Sequence, residues 1–553
     1  MTAGFVPLLR SPPFPWVAPE IAAVSVPGPS GRPAHDHDTL FRAIRAARVG
    51  GAFWRPAATR VSGPQAILAP IPHAQVAAMI AASAHDPARG VRGLDGKPCD
   101  PRSNPVPPER WADPWSLLVG DTVVHADADH EIVALAAITG TPVRLYGKGR
   151  FGREGGEVDI AAVVRALVEP RYRDPFTATT ATAEAVIATL ARWRALIDAN
   201  HPIAALVGIA RWKQRHLGRL FWAPRDRPLS FARGTGDALR AARDGGDCVV
   251  AWPSREPPEL REHAARHGVS VQTVEDGFIR SAGLGSGLHP PFSVVVDPDG
   301  IHYDPARPSR LDHLLETIDP SPELLNRARA LRATLVAGNV AKYGAGRGTL
   351  VPPRVANRRL VLVPGQVSDD LSVRRGGRGM QGNSDLLANV RAAEPDAEIW
   401  YRPHPDVDAG HRRGATPDAA VLRHADRVVR GQAMPDLLDT VDAVHVLTSL
   451  TGFEALLRGR EVVTHGTPFF AGWGLTVDLA PTPPGRTRRL SLDQLVAGAL
   501  ILYPRYLDPA THLPCEVEHL VHALLMQALP HQTLVTRLRE VQGRVARHLT
   551  RVS

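Results

Sequence analysis

The chain has 553 residues, too many for one hydrophobic core, so about three domain-sized units are expected. Hydrophobic residues make up 44% and charged residues 22%, an ordinary globular balance; no run of about 18 apolar residues occurs, which excludes a transmembrane helix. The three cysteines, Cys99, Cys248 and Cys515, form no CxxC pair, which excludes a zinc ribbon, and the net charge of +9 favours an anionic partner.

The opening segment, MTAGFVPLLRSPPFPWVAPE, has too short an apolar core and too many prolines for a secretory signal, so the protein is expected in the cytoplasm. No RNA- or DNA-binding signature accompanies the positive charge, and nucleic acid is not expected as a partner. Residues 1–40 are Pro-rich and read as irregular. From residue 122, TVVHADADHEIVALAAITGTPVRLYG reads as strand, loop, helix, Gly stop and strand. The segment AVHVLTSLTGFEALLRGREVVTHG (443–466) repeats that order, and EPRYRDP (169–175) is echoed by YPRYLDP (503–509). Two echoes in the same order indicate a module present twice. The copies are chemically unequal: the second has Thr448, Ser449, Gly452 and Glu454, the first Asp127, Asp129, His130 and Ala134. No equivalent of PHPD is evident in the first copy, which therefore reads as a scaffold or an acceptor platform.

Residues 182–222 read as a helical stretch between the modules. Ile187, Leu190, Trp193 and Leu196 share a face in its first part, and its second part mixes Arg211, Lys213, Arg215, His216 and Arg219 with Trp212, Leu220, Phe221 and Trp222. A basic helix bearing Trp suits either a lipid interface or an interdomain position. The second module then alternates short apolar strands with helices: DCVVAW (247–252), PELREHAARHG (258–268), VSVQTV (269–274), RRLVLVPGQ (358–366), SDLLANVRAAEP (384–395), AEIWYRPHPD (397–406), AVHVLTS (443–449) and EVVTHG (461–466). That alternation predicts an α/β fold of parallel doubly wound sheets, two facing Rossmann-type domains broken near 342–357. The expected divisions are a shortened module over 1–176, linker helices and a first Rossmann-like domain over 177–345, a second over 346–512, and C-terminal helices over 513–553.

In open parallel sheets ligands bind beyond the carboxyl ends of the strands. Each polar cluster of this module falls at such an end: Glu275-Asp276-Gly277, Gly365-Gln366 with Asp369-Asp370, Arg402-Pro403-His404-Pro405-Asp406, and Thr448-Ser449-Leu450-Thr451-Gly452. TSLTGFE sets hydroxyls and Gly452 at a helix start, which either binds a phosphate or simply caps the helix. Glu454 either accepts from a ribose diol or complements the dipole. The prolines around His404 fix the imidazole near Arg402, an arrangement suited to a nucleotide phosphate or to a structural turn. Of Asp369 and Asp370, as neighbours, only one is expected to face the cleft; it serves as nucleophile or as transition-state stabiliser, or the pair is a cap. Glu275 or Asp276 is the candidate base for an acceptor hydroxyl. No DxD stands in a metal-binding strand-end context, so no metal is expected. GTPFFAGWGLT (466–476) either walls a sugar pocket or is a buried loop with glycines for tight turns.

Five segments in order, VEDGFIRSAGLGS (274–286), GQVSDDLSV (365–373), YRPHPDVDAGHRRG (401–414), LTSLTGFEALLRG (447–459) and GTPFFAGWGLT, resemble the KpsC/LipB-type capsule polysaccharide proteins. The Glu275-Asp276-Gly277 and His404-Pro405 pieces are also similar to the motifs of bacterial sialyltransferases. The resemblance implies a pair of GT-B-type domains and a retaining β-Kdo transferase that uses CMP-Kdo and needs no further cofactor. Its acceptor would be a Kdo-bearing lipid at the cytoplasmic face of the inner membrane, with peripheral contact there and with the capsule export components. By motif position Asp370 is the implied nucleophile with Asp369 as fallback, and Glu275 the acid/base with Asp276 orienting it. His404, Ser449 and Glu454 would hold CMP, with Arg402, Thr448 and Gly452 completing the donor site. Family members with two full modules make two linkages; the short first module here implies one active site. The alternatives are a non-catalytic glycolipid-binding platform contacting its partners through the basic 208–222 helix, and a transferase using CMP-sialic acid.

Overall fold

The computed structural model describes residues 6–29, 37–70, 74–83, 89–99, 105–225, 228–280, 289–341, 344–345, 350–380, 382–408 and 415–526. Parts of several expectations lie outside the described residues: 1–5 and 30–36 of the opening segment, 281–286 and 409–414 of the motifs, 342–343 and 346–349 of the interdomain break, and 527–553 of the C-terminal helices. The chain divides into one unit of residues 1–202 with 221–228, and another of 203–220 with 229–553.

In the first unit β1 (Gln65–Ala69), β2 (Gly90–Gly93), β3 (Thr122–Asp127) and β4 (Val143–Tyr146) form a parallel sheet in the order β2-β1-β3-β4. β3 and β4 flank the helix Glu131–Thr139, as the sequence pattern requires. Residues 1–40 are less irregular than expected: Ser25–Pro29 is a strand that pairs antiparallel with Pro170–Tyr172. The helix Ala183–Asn200 belongs to this unit, with Ile187, Leu190 and Trp193 buried.

The second unit begins at Ile203. Residues 182–222 are not one helical stretch, because Ile203–Val207 is a strand, β5, buried at all five positions. Its run IAALV has no period to distinguish a fully buried strand from a buried helix; its short length and the flanking His-Pro and Gly mark it. β5 joins β6 (Ser230–Ala232), β7 (Cys248–Ala251) and β8 (Ser270–Asp276) in parallel, in the order β6-β5-β7-β8. The expectation of fully parallel sheets fails beyond β8. No described helix lies between β8 and β9 (Ser293–Asp297), and the two strands pair antiparallel.

The second sheet is wholly parallel and follows from contiguous apolar runs. Its strands are β10 (Leu360–Pro364), β11 (Glu398–Arg402), β12 (Arg427–Val428), β13 (Ala443–Val446), β14 (Glu461–Thr464) and β15 (Val477–Asp478), in the order β12-β11-β10-β13-β14-β15. Helix Asn383–Ala393 packs Leu386, Leu387 and Val390 against Val361, Val363 and Ile399 of this sheet. The chain then returns to the first sheet of the unit, where β16 (Pro504–Leu507) pairs antiparallel with β9, and β17 (Pro514–Cys515) with β16.

The duplicated segments share backbone geometry as well as letters. Tyr172 and Tyr506 both donate their hydroxyl to a carbonyl just upstream, of Leu167 and Leu500. Both aspartates of PRYxDP open the same turn. Asp174 and Asp508 donate N–H to Thr179 O and Leu513 O, and their carbonyls accept from Ala178 and His512, which are left-handed at φ 61° and 58°. Gly140 and Gly459 end the matching helices at φ 78° and 70°. At the helix starts His130 Nδ1 accepts from Ile132 N, where Ser449 Oγ accepts from Thr451 N. Among the described residues no helix is long and apolar enough to cross a membrane.

Candidate active site

The carboxyl ends of β5, β7 and β8 on one side, and of β10, β11 and β13 on the other, open into a cleft of about 1340 Å³ within the second unit. Glu275, Asp276, Asp369, Asp370, Arg402, His404, Thr448, Ser449 and Glu454 all line it. Phe278 stacks on Phe469 at 4.4 Å between ring centroids, and both line the cleft.

Glu275 and Asp276 end β8. The Asp276 carboxylate accepts from Lys213 Nζ at 3.1 and 3.2 Å and from Arg280 Nε at 2.8 Å. Arg280, 1% exposed, also donates to His289 O. Burial pulls the Lys213 pKa down, opposed by Asp276, and its Nζ lies 3.5 Å from the Trp252 ring centroid. Asp276 is therefore committed to two cations, whereas the Glu275 carboxylate accepts from the Asp276 backbone N–H at 3.3 Å.

On the opposite wall Asp370 caps the helix Leu371–Gly376, its Oδ1 accepting from Ser372 N at 3.0 Å and Ser372 Oγ at 3.1 Å. The expectation that only one of Asp369 and Asp370 faces the cleft is not met: both line it, because they lie in the turn before the helix, where alternation does not apply. Ser372 lies 3.5 Å from Thr448 Oγ1. Thr448 and Gln366 bond reciprocally, Gln366 Nε2 donating to Thr448 Oγ1 at 2.8 Å and Thr448 N to Gln366 Oε1 at 3.0 Å. Gln366 is held in turn by Asn383. One network thus runs from the aspartate turn to the hydroxyl-lined helix start.

His404 Nδ1 accepts from Asp406 N at 3.1 Å, which leaves the proton of the neutral imidazole on Nε2. Gly365 N–H donates to Arg402 O, and a Cβ on Gly365 would lie 2.5 Å from Tyr401 Oη and 3.1 Å from His404 N, so only glycine lets β10 approach β11 here. The Arg402 guanidinium donates to Gln432 O at 3.0 Å; burial lowers its pKa, and Asp408 and Glu454 oppose this. Ser449 caps the helix Leu450–Leu457. Gly452 does not line the cleft: a Cβ there would meet Phe470 Cζ at 2.7 Å and Val446 Cγ2 at 3.0 Å, so it serves close packing instead.

The GTPFFAGWGLT loop does both things its composition allows. Phe469 lines the cleft, whereas Phe470 and Trp473 are fully buried and Gly472 and Gly474 take φ 84° and 76°. Within 208–222, Trp212 and Lys213 line the cleft and Trp222 packs on Phe14 and Trp16.

Sequence reasoning missed Lys213, Trp252, Arg280, Asn339 and Tyr303 as lining residues. Arg280 sat inside a quoted motif, four residues after Asp276, and was the one legible signal. The Tyr303 hydroxyl is buried and has no hydrogen-bond partner among the described residues; burial raises its pKa, and Glu275 and Asp370 add to the shift. Among the described residues no group of three or more His, Cys, Asp or Glu is placed to hold a metal ion.

Residues 247–343 and 351–506 match the model of the family "Capsule polysaccharide biosynthesis protein". The capsule polysaccharide modification protein LipA of Neisseria meningitidis serogroup A is 39% identical over 65% of this chain and 50% of its own length, so the chain spans about half the length of that relative. The lipopolysaccharide-processing protein LpsZ of Rhizobium meliloti is 37% identical over 61% of this chain and 77% of its own. Among solved structures, the KpsC β-Kdo 2,4 transferase of Thermosulfurimonas dismutans superposes with a TM-score of 0.50 at 30% identity, covering 58% of this chain and 98% of that one. The chain belongs to the capsule polysaccharide biosynthesis protein family, of the KpsC/LipB type.

Proposed function

We propose that the cleft is the active site of a retaining β-Kdo transferase that moves Kdo from CMP-Kdo to a lipid-linked Kdo acceptor. The observation that carries this reading is the convergence of Glu275, Asp370, His404 and Ser449 on one cleft at the strand ends. The donor lies on the second-sheet wall. His404 Nε2–H and Arg402 meet its phosphate with the helix start at Ser449 and Thr448, and Glu454 accepts from the ribose.

An Asp370 carboxylate oxygen attacks the anomeric carbon as the bond to the CMP phosphate breaks, and CMP leaves with the electron pair. The resulting glycosyl ester is attacked by an acceptor hydroxyl, whose proton passes to Glu275 while the Asp370 carboxylate is released. Two inversions give net retention. Asp276 orients Glu275 through the neighbouring backbone, and Lys213 holds Asp276 in place.

The test is intact mass spectrometry after incubation with CMP-Kdo. The wild type should gain one Kdo on Asp370 and release CMP, and transfer should follow once a Kdo-terminated lipid is added. Asp370→Asn preserves the helix cap, since Asn caps as well as Asp, and should lose the adduct and the transfer while binding CMP normally. If Asp370→Asn retains most of the transfer rate, Asp370 is not the nucleophile; if the wild type binds glycolipid without turnover, the protein is a platform.

A further inference from the structure

The first-sheet wall carries more cations than its carboxylates use. Four cationic side chains line it, Arg211, Lys213, Arg255 and Arg280, against the two carboxylates Glu275 and Asp276. Asp276 is shared by Lys213 and Arg280. Arg211 and Arg255 are exposed, and neither side chain is paired with any described residue.

These two arginines are set in place by the fold. Arg211 opens the ten-residue helix Arg211–Leu220, whose N-terminal dipole adds to its charge. Arg255 ends the short turn Pro253–Arg255 after β7. The β5 end reaches that turn through Gly208, left-handed at φ 75°, where a Cβ would lie 3.0 Å from both Arg255 Cβ and Arg255 O. The close approach at glycine thus ties the segment leading to Arg211 to the backbone of Arg255. Two indoles share the wall. Trp252 has Lys213 Nζ over its ring at 3.5 Å, and Trp212 has Lys213 Nζ at 5.3 Å and Arg280 at 5.9 Å.

We propose that Arg211 and Arg255, with Trp212 and Trp252, form an acceptor subsite for a carboxylated sugar. The guanidinium forks take the sugar carboxylate, the half-buried Trp212 indole covers the apolar face of the ring while Trp252 backs Lys213, and the accepting hydroxyl lies toward Glu275. The subsite rests on the transferase reading of the cleft, and it lies on the wall opposite the one assigned to the nucleotide.

The experiment uses the full chain, CMP-Kdo and three acceptors: a soluble Kdo glycoside, its methyl ester, and a lipid phosphate ending in a neutral sugar. Arg211→Ala and Arg255→Ala should each raise the KM for the Kdo glycoside about tenfold, the low end for a charge-assisted hydrogen bond. The KM for CMP-Kdo and kcat should stay within about twofold, Arg255→Lys should recover part of the loss, and the wild type should bind the methyl ester as weakly as the variants do. Unchanged acceptor KM in both variants, or an equal loss on the methyl ester, overturns the proposal. Loss confined to the lipid phosphate assigns the arginines to a headgroup and overturns the carboxylate. Binding of the Kdo glycoside, read by tryptophan fluorescence, decides the subsite without turnover. Binding that the arginine variants lose, in a protein that transfers nothing, supports the subsite and sinks the transferase reading alone.

Discussion

Replacing Asp276 by Asn removes a charge from between two cations, and the structure sets the size of the effect. Lys213 is 8% exposed and Arg280 1%, and both direct their charge at this carboxylate. Deleting one partner of a buried ion pair costs about 3–5 kcal/mol. Asp276 itself is 20% exposed at the side chain, and Asn keeps an acceptor oxygen, so the low end, about 3 kcal/mol, is expected. Lys213 has a way out that Arg280 lacks, because it can lose its proton. Its pKa is already drawn down by burial, and removal of Asp276, which opposes that shift, lowers it further. A lysine with a depressed pKa in the folded state binds fewer protons there than in the unfolded chain, so stability rises with pH between the two values. The deficit of Asp276→Asn should therefore shrink between about pH 7 and about pH 9.5, as the unfolded lysine value near 10.4 is approached. Urea unfolding followed by tryptophan fluorescence at both pH values measures this. Glu275→Gln, which leaves the Lys213–Asp276–Arg280 cluster whole, should unfold close to the wild type while losing transfer. A variant Asp276→Asn as stable as the wild type, or a deficit that does not change with pH, would refute the assignment of Asp276 to cation pairing.

Three further outcomes follow from individual contacts. His445 and His465 are buried with Nδ1 and Nε2 3.1 Å apart, and burial pushes both pKa values down to about 4. Their folded-state pKa values lie below the unfolded value near 6.5, so this stability is present above that pH. It is lost as pH falls toward 4, by about 3 kcal/mol for each ring at 1.36 kcal/mol per pKa unit. A His445→Asn/His465→Asn double variant should show a shallower fall of Tm between those pH values, and an unchanged slope would contradict the account. Gly452→Ala should cost about 1–3 kcal/mol by forcing a methyl against the Phe470 ring while CMP affinity of the folded protein stays normal; reduced CMP affinity at normal Tm would restore Gly452 to the donor site. Tyr303→Phe removes a buried hydroxyl that has no partner among the described residues and should raise stability by about 1 kcal/mol in thermal melts; a lower Tm would show that the hydroxyl is satisfied.

Much of the second sheet was legible because LVLVP, EIWYR, AVHV and EVVT are short apolar runs set between helices, and a strand buried on both faces needs just that. The site was legible for a topological reason: polar residues after such runs must lie on one rim. What was not legible depended on partners distant in sequence. Ile203–Val207 looks like part of a helix until β7 is beside it. Lys213 reads as a solvated base until Asp276 and Trp252 are placed around it, and Gly452 reads as a phosphate-binding glycine until Phe470 occupies the space above it. The antiparallel turn at β9 was hidden because strand direction is set by the connection rather than by the strand's own residues.

The return of β16 to the edge of β9 has a consequence for how the molecule is made. Everything from Leu360 to Asp478 can assemble its sheet from a continuous piece of chain, whereas the neighbouring sheet waits for Pro504 after laying down Asp297. During synthesis β9 therefore presents an uncovered strand edge while the later sheet is already able to close, the condition under which nascent chains pair with the wrong partner. The Rossmann-type half that is second in sequence is the one expected to fold first, and the cleft wall that carries Glu275 becomes complete only when the wall that carries His404 already stands.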